Sequence, residues 1–293
     1  MSIINFLGNT PIVKLKNRSK NSAQIYVKME EFNPGGSIKS RVGIQMIEDA
    51  EKNNIIHKGD TLVEATGGNT GIGLAIAAAI KGYKLILTMP DNFSPEKIKT
   101  LKNFGAKVYL ANHNLGNDCH IKLAENILKD FPKYKCLNQF KNMSNPKAHY
   151  YGTGNEILNQ MQNDIDYFVS SIGSGGTIMG VGKRLKESIP KIKIIGVQPD
   201  GCDLKKGIYI QHKIESIAVG KVGTFMDFNL IDDMINVKFQ DIEEERDYLA
   251  KNQGLFIGLS SGANILAARK LAEKLNKEKI IVTIAPDSGR NYI

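Results

Sequence analysis

Strand-sized apolar runs rich in Val and Ile recur along this chain, at 24–29, 61–64, 84–89, 107–110, 167–171, 192–197 and 279–284. Between most of them lie helix-length stretches with apolar residues three and four apart, as in 72–80, 121–128, 180–188 and 263–275. Strand runs that are apolar on successive positions must be buried on both faces, and alternation with helices supplies the cover. The predicted fold class is therefore α/β, with parallel-rich twisted sheets covered by helices. A length of 293 residues suits one large α/β unit or two lobes. The turn-rich stretches, 33–36 and 220–233, are too short to link independent domains and read as functional loops.

Three strand-to-helix turns are rich in glycine. The first, Glu64-Ala65-Thr66-Gly67-Gly68-Asn69-Thr70-Gly71, precedes the 72–80 helix. Glycine lets backbone amides approach an anion, and the unpaired N–H groups of a helix start favour a carboxylate or phosphate. The second, Ser171-Ile172-Gly173-Ser174-Gly175-Gly176-Thr177, adds hydroxyl donors and makes a better phosphate cup. It lacks the third glycine of a dinucleotide fingerprint, and Gly182-Lys183 lacks the flanking residues of a P-loop. The third, Gly258-Leu259-Ser260-Ser261-Gly262, offers two hydroxyls, either of which also suits a plain helix cap. Such turns gather at the carboxyl ends of strands in open α/β sheets, where ligands bind.

The totals narrow the partners. A formal charge of +9 invites a nucleic-acid reading, but the lysines are spread along the chain among acids, with no basic block interleaved with aromatics. A solvated basic surface that steers small anions is expected instead, with no nucleic-acid partner. Cys119, Cys136 and Cys202 are odd in number, widely spaced and in no metal-ligand pattern, so neither a disulfide framework nor a metal site is indicated. No apolar stretch reaches the roughly 18 residues of a membrane helix, and Met1-Ser2-Ile3-Ile4 does not open like a secretory signal. A cytoplasmic protein without membrane contact is expected.

The segment Asn33-Pro34-Gly35-Gly36-Ser37-Ile38-Lys39-Ser40-Arg41 resembles the cofactor-lysine segment of the cysteine synthase (O-acetylserine sulfhydrylase) and cystathionine β-synthase family. These enzymes use pyridoxal 5′-phosphate (PLP) and have the tryptophan synthase β-like fold, PLP fold type II. The remaining motifs follow in that family's order: Thr-x-Gly-Asn-Thr-Gly, Asn138-Gln139-Phe140, the Gly173 cup, Gly196-Val197-Gln198-Pro199, Ser-Ser-Gly, and Pro286-Asp287-Ser288-Gly289-Arg290. The resemblance spans nearly the whole chain. It implies an N-terminal lobe of residues 1–11 and 35–145, a C-terminal lobe of 12–34 and 146–293, and a homodimer.

Carried over by position, the resemblance implies that Lys39 forms the internal Schiff base with PLP and then moves the α-proton. Gly173, Ser174, Gly175, Gly176 and Thr177 would hold the phosphate, Asn69 the 3′ oxygen, and Ser260 would face the pyridine nitrogen. A neutral serine there weakens the ring as a deep electron sink, which favours loss of a β-substituent. Thr66, Gly67, Asn69, Thr70 and Gln139, with Gly220 nearby, would bind the substrate carboxylate. The implied reaction runs through an aminoacrylate, with O-acetyl-L-serine and sulfide giving L-cysteine.

Two departures bear on the substrate. Gly67 stands where these enzymes carry a serine, so one hydroxyl is missing, and the 220–233 segment is short and holds three acids. An acid near the β-carbon can activate water, so sulfide release from L-cysteine, giving L-serine, or thiol exchange to lanthionine or cystathionine, is the alternative, with Asp232 or Asp227 as base. Solvated loop acids are the plainer reading of both. No heme-ligating N-terminal extension or C-terminal regulatory module is evident in these residues, so a regulated cystathionine β-synthase is not the expectation. Serine or threonine dehydratase chemistry and a non-catalytic scaffold are further rivals; the intact Lys39 and cup weigh against the scaffold.

Overall fold

The computed structural model describes residues 1–292. In chain order the elements are β1 (Ile12–Lys14), β2 (Gln24–Met29), α1 (Lys39–Lys52), β3 (Thr61–Ala65), α2 (Asn69–Lys81), β4 (Lys84–Pro90), α3 (Pro95–Asn103), β5 (Lys107–Ala111), α4 (Cys119–Asp130), α5 (Ser144–Ala148), α6 (Asn155–Met161), β6 (Tyr167–Ser171), α7 (Gly176–Ser188), β7 (Lys193–Pro199), β8 (Asp233–Val237), α8 (Phe239–Gln253), α9 (Leu259–Ala272) and β9 (Ile280–Ala285). Every expected strand is present within a residue or two. The short strands β1 and β8 and the charged helices α3 and α8 were not expected. In α8 the buried stripe is Ile242, Glu245 and Leu249, and the acid breaks the apolar period. Glu245 is tolerated there because Arg269 Nε and Arg18 Nη2 each donate to it at 2.6 Å.

The chain divides into two interleaved units. One comprises residues 1–7 and 39–144, the other 8–38 and 145–293. The boundaries fall at 7/8, 38/39 and 144/145, where 11/12, 34/35 and 145/146 were expected, and hydrogen bonds explain the first two. Gly8 N donates to Asn33 Oδ1 and Met29 N to the Pro11 carbonyl, so residues 8–11 follow the β1–β2 hairpin. Ile38 N donates to the Pro286 carbonyl and Ser37 pairs with Asp287, so the chain leaves the larger unit only at Lys39.

The smaller unit holds a parallel three-stranded sheet, β3-β4-β5. The larger holds six strands in the order β1-β2-β9-β6-β7-β8, all parallel except the β1–β2 pair. Alternation along its strands builds two cores. Ile25, Val27, Val169, Ile195 and Ile281 pack with α8 and α9, whereas Phe168, Ile194, Val282 and Ile284 pack with α6 and α7. Burial on both faces is why these strands read as continuous apolar runs. Among the described residues, no helix is long and apolar enough to cross a membrane.

Candidate cofactor site

In the larger unit, β6 ends at Ser171 and the chain turns through Gly173-Ser174-Gly175 into α7. Gly175 sits at φ +90°, a left-handed conformation that side-chain-bearing residues rarely adopt. The glycines are also pressed from outside. A Cβ on Gly173 would lie 2.3 Å from the Ser216 carbonyl oxygen, and one on Gly176 would lie 1.9 Å from Asn145 Oδ1. Asn145 Nδ2 donates to Ser174 Oγ (3.1 Å), and buried His149 places Nε2 3.3 Å from Thr177 Oγ1 and Nδ1 3.1 Å from Thr153 Oγ1. Asn264 of α9 clips the bend at its root, accepting from Ser171 N and donating to the Ile284 carbonyl. The result is a braced turn whose amides open a helix, the geometry of an anion cup.

The third glycine turn lies at the same carboxyl edge of this sheet. Gly258 N and Ser261 Oγ both donate to the Asp287 carbonyl just beyond β9, and Ser260 is buried at the start of α9. The 216–226 segment folds onto the cup: Ala218 N donates to the Ile172 carbonyl and Gly223 N to the Ser174 carbonyl. Gly220, exposed at φ +84°, lies between these anchors. Met226 reaches Gly175, and the next residue, exposed Asp227, caps the turn at 228–230 through Asn229 N.

The structure corrects the expectation for Asp232. It precedes β8 at the amino edge of the sheet, opposite the cup, where its carboxylate accepts from Ile194 N (2.8 Å) and pairs with Lys186 (2.9 Å) and Lys193 (3.1 Å). Desolvation raises its pKa, but the amide and the two ammonium groups outweigh this and hold it below the usual carboxylate range. A carboxylate so paired is a poor proton acceptor, and it serves the β7–β8 edge.

In the smaller unit, Lys39 opens α1 and is half-buried. Helices α1 and α2 meet backbone to backbone: a Cβ on Gly43 would lie 2.4 Å from the Gly73 carbonyl carbon, and one on Gly73 would lie 2.5 Å from the Lys39 carbonyl oxygen. Gly73 is one helical turn beyond Asn69, which opens α2, so Lys39 and the asparagine loop are brought together. Thr70 Oγ1 donates to Gln139 Oε1 (2.7 Å), joining the loop to the 138–140 motif. Gly67 is buried, and a Cβ there would lie 2.9 Å from the ring of Phe93. Thr66 is half-buried beside it.

Sequence reasoning missed Glu64 as a site residue, along with Asn145, His149 and Ser216. Glu64 carried a signal, an acid inside an apolar strand; the others gave none, because their role is contact with a distant segment.

A family model for "Pyridoxal-phosphate dependent enzyme" matches residues 3–287. The chain belongs to the pyridoxal-phosphate dependent enzymes. Within this family it is 40% identical over 295 residues to the cysteine synthase of Staphylococcus aureus (strain Mu50 / ATCC 700699), covering 100% of this chain and 95% of that one. It is 41% identical over 302 residues to the cystathionine beta-synthase of Apis mellifera, covering 99% of this chain but spanning only 60% of the bee protein's length. Among solved structures, a hydrogen sulfide-producing enzyme from Fusobacterium nucleatum superposes with a TM-score of 0.94 at 40% identity, covering 100% of this chain and 97% of that one. PLP, the family's cofactor, carries a phosphate dianion and an aldehyde. The 173–177 bend suits the first, since no side chain fits at Gly173 or Gly176 and the α7 amides face an anion. A lysine amine suits the second.

Proposed function

We propose that this enzyme performs β-replacement on a small L-amino acid, with O-acetyl-L-serine and sulfide giving L-cysteine as its main reaction. The 171–177 bend, whose glycines admit no Cβ and whose hydroxyls are braced by Asn145 and His149, supports the cofactor, and the 40% identity to a cysteine synthase over the whole chain supports the reaction. Bound PLP supplies the electron-withdrawing ring that makes the α-proton removable. Lys39 binds the cofactor and carries the proton to and from Cα. Gly173, Ser174, Gly175, Gly176 and Thr177 bind the phosphate, Asn69 orients the 3′ oxygen, and Ser260 offers the ring nitrogen a neutral partner. Thr66, Gly67, Asn69, Thr70 and Gln139 bind the substrate carboxylate, and Gly220 is a further substrate-binding residue. We place the enzyme in the cytoplasm as a homodimer, which size-exclusion chromatography tests.

A second reading, sulfide release from L-cysteine with addition of water, is favoured by one feature. Asp227 follows Met226, whose sulfur packs on Gly175 of the cup; its exposed carboxylate accepts from Asn229 N, so the reading needs that carboxylate to turn from this cap toward the bend. The test is to load the protein with PLP and follow the band near about 410 nm that a lysine-bound cofactor gives. It should form in the wild type and be absent in Lys39→Ala. Product analysis then compares O-acetylserine plus sulfide with cysteine alone; turnover of neither rejects both readings. Asp227→Asn should slow steady-state formation of L-serine from cysteine about 100-fold, with the first equivalent of sulfide released at the wild-type rate, if the carboxylate activates water.

A further inference from the structure

We propose that Glu64 is a positioning residue for recognition of the amino-acid carboxylate, acting through Gln139; the proposal rests on the assignment of Gln139 to that carboxylate. Glu64 lies near the end of β3 and is 5% exposed. Up to Val63, the backbone of β3 grips the neighbouring segment itself: Lys135 N donates to the Thr61 carbonyl and Val63 N to the Lys135 carbonyl. Beyond that the two backbones part, because Asn138 takes up φ +53°, a left-handed conformation uncommon outside glycine. The Glu64 side chain continues the pairing where the ladder stops. Its Oε2 accepts from Asn138 N (2.9 Å), its Oε1 from Gln139 N (3.0 Å), and the Cys136 thiol lies 3.6 Å from Oε2.

The polarity of this arrangement is specific. Every donor aimed at Glu64 is an N–H or S–H, so an acceptor-only carboxylate satisfies them all and an amide side chain would turn a donor toward one of them. Burial raises the Glu64 pKa, and the Gln139 and Asn138 amides oppose that rise. A desolvated carboxylate is a demanding way to fix a turn, and the turn it fixes carries Gln139. Gln139 is held from its backbone by Glu64 and at Oε1 by the Thr70 hydroxyl. Glu64 therefore fixes the backbone from which the Gln139 side chain extends, without itself touching substrate.

The test uses PLP-loaded enzyme and two ligands that differ only by the carboxylate, L-cysteine and its decarboxylated counterpart cysteamine, each titrated by the change in cofactor absorbance. Wild type should prefer the amino acid. Glu64→Gln should lower that preference about tenfold or more and raise KM by the same factor, because a misaligned charged hydrogen bond is worth about that much. Cysteamine affinity, PLP content and kcat should stay within about threefold. Gln139→Ala should show the same loss, and the double variant no more than either single one, the signature of two residues acting as a unit. Glu64→Asp, which keeps the charge and shortens the reach, should fall between and serves if Glu64→Gln does not fold. Equal losses for L-cysteine and cysteamine, or losses that add in the double variant, would mean that Glu64 only supports the fold and would overturn the proposal. If wild type itself shows no preference for the amino acid, the assignment of Gln139 fails first and takes this inference with it.

Discussion

Position 67 shows how one residue carries the consequences of its neighbours. The sequence marks Gly67 as a missing hydroxyl in a loop that resembles Thr-Ser-Gly-Asn-Thr. The structure adds the reason it stays glycine: the Phe93 ring occupies the space, with Met89 Cβ 3.1 Å from where a Cβ would stand. Phe93 is half-buried with the Lys97 ammonium 5.6 Å from its ring centroid, so the ring can yield only in part. Gly67→Ser should therefore destabilise the protein by about 1–2 kcal/mol in urea unfolding, and Phe93→Ala should return most of that loss in the double variant. Additive losses would show that the ring is not the obstacle. Of the three cysteines, Cys119 and Cys202 are buried. Cys136 differs: the residue is exposed at the surface, but its sulfur is turned inward to 3.6 Å from Glu64 Oε2, and desolvation there together with that carboxylate pushes the thiol up to about 12, making it a donor and not a thiolate.

At the scale of elements, the carboxyl edge of the six-stranded sheet gathers the cup, the 286–287 turn and Ser260, while the amino edge is structural. Asp232 belongs to the latter and joins the starts of β7 and β8. Its pKa is depressed in the folded state, so it stabilises the fold above the pKa of the unfolded side chain. That contribution is lost as pH falls through the folded value. Asp232→Asn should cost roughly 1 kcal/mol at pH 7, in the range expected for a pair partly open to solvent, and the difference from wild type should shrink as pH falls below the ordinary aspartate range, through the depressed folded pKa. Its kcat should match wild type within about twofold. A large loss of activity with stability unchanged would restore Asp232 as a chemical residue. The α1–α2 contact is another product of element packing: Gly43 and Gly73 are unremarkable in the sequence, yet their close approach fixes where Lys39 begins its helix.

For the whole molecule, ligand linkage offers a test that needs no turnover. A ligand that binds only the native state stabilises it by about 2.7 kcal/mol at 100 times its Kd, which for a chain of this size is roughly 5 °C in Tm. PLP should produce such a shift in a thermal melt, pyridoxal without the phosphate a clearly smaller one, and Thr177→Val should narrow the gap between them. Equal shifts from the two ligands would argue that the 173–177 bend does not bind phosphate. Local pattern alone revealed the α/β class, seven of the nine strands among the described residues and the glycine turns, because burial on both faces and helix starts leave periodicities legible in a single chain. The sequence also carried the lysine segment and the order of motifs on which family membership rests. That Asp232 lies at the amino edge, that Phe93 fills the space beside Gly67, and that Asn145, His149 and Glu64 brace the residues expected to bind emerged from the folded chain. Those roles depend on contacts between segments tens of residues apart, and a side chain's partner across such a distance leaves no periodicity to read.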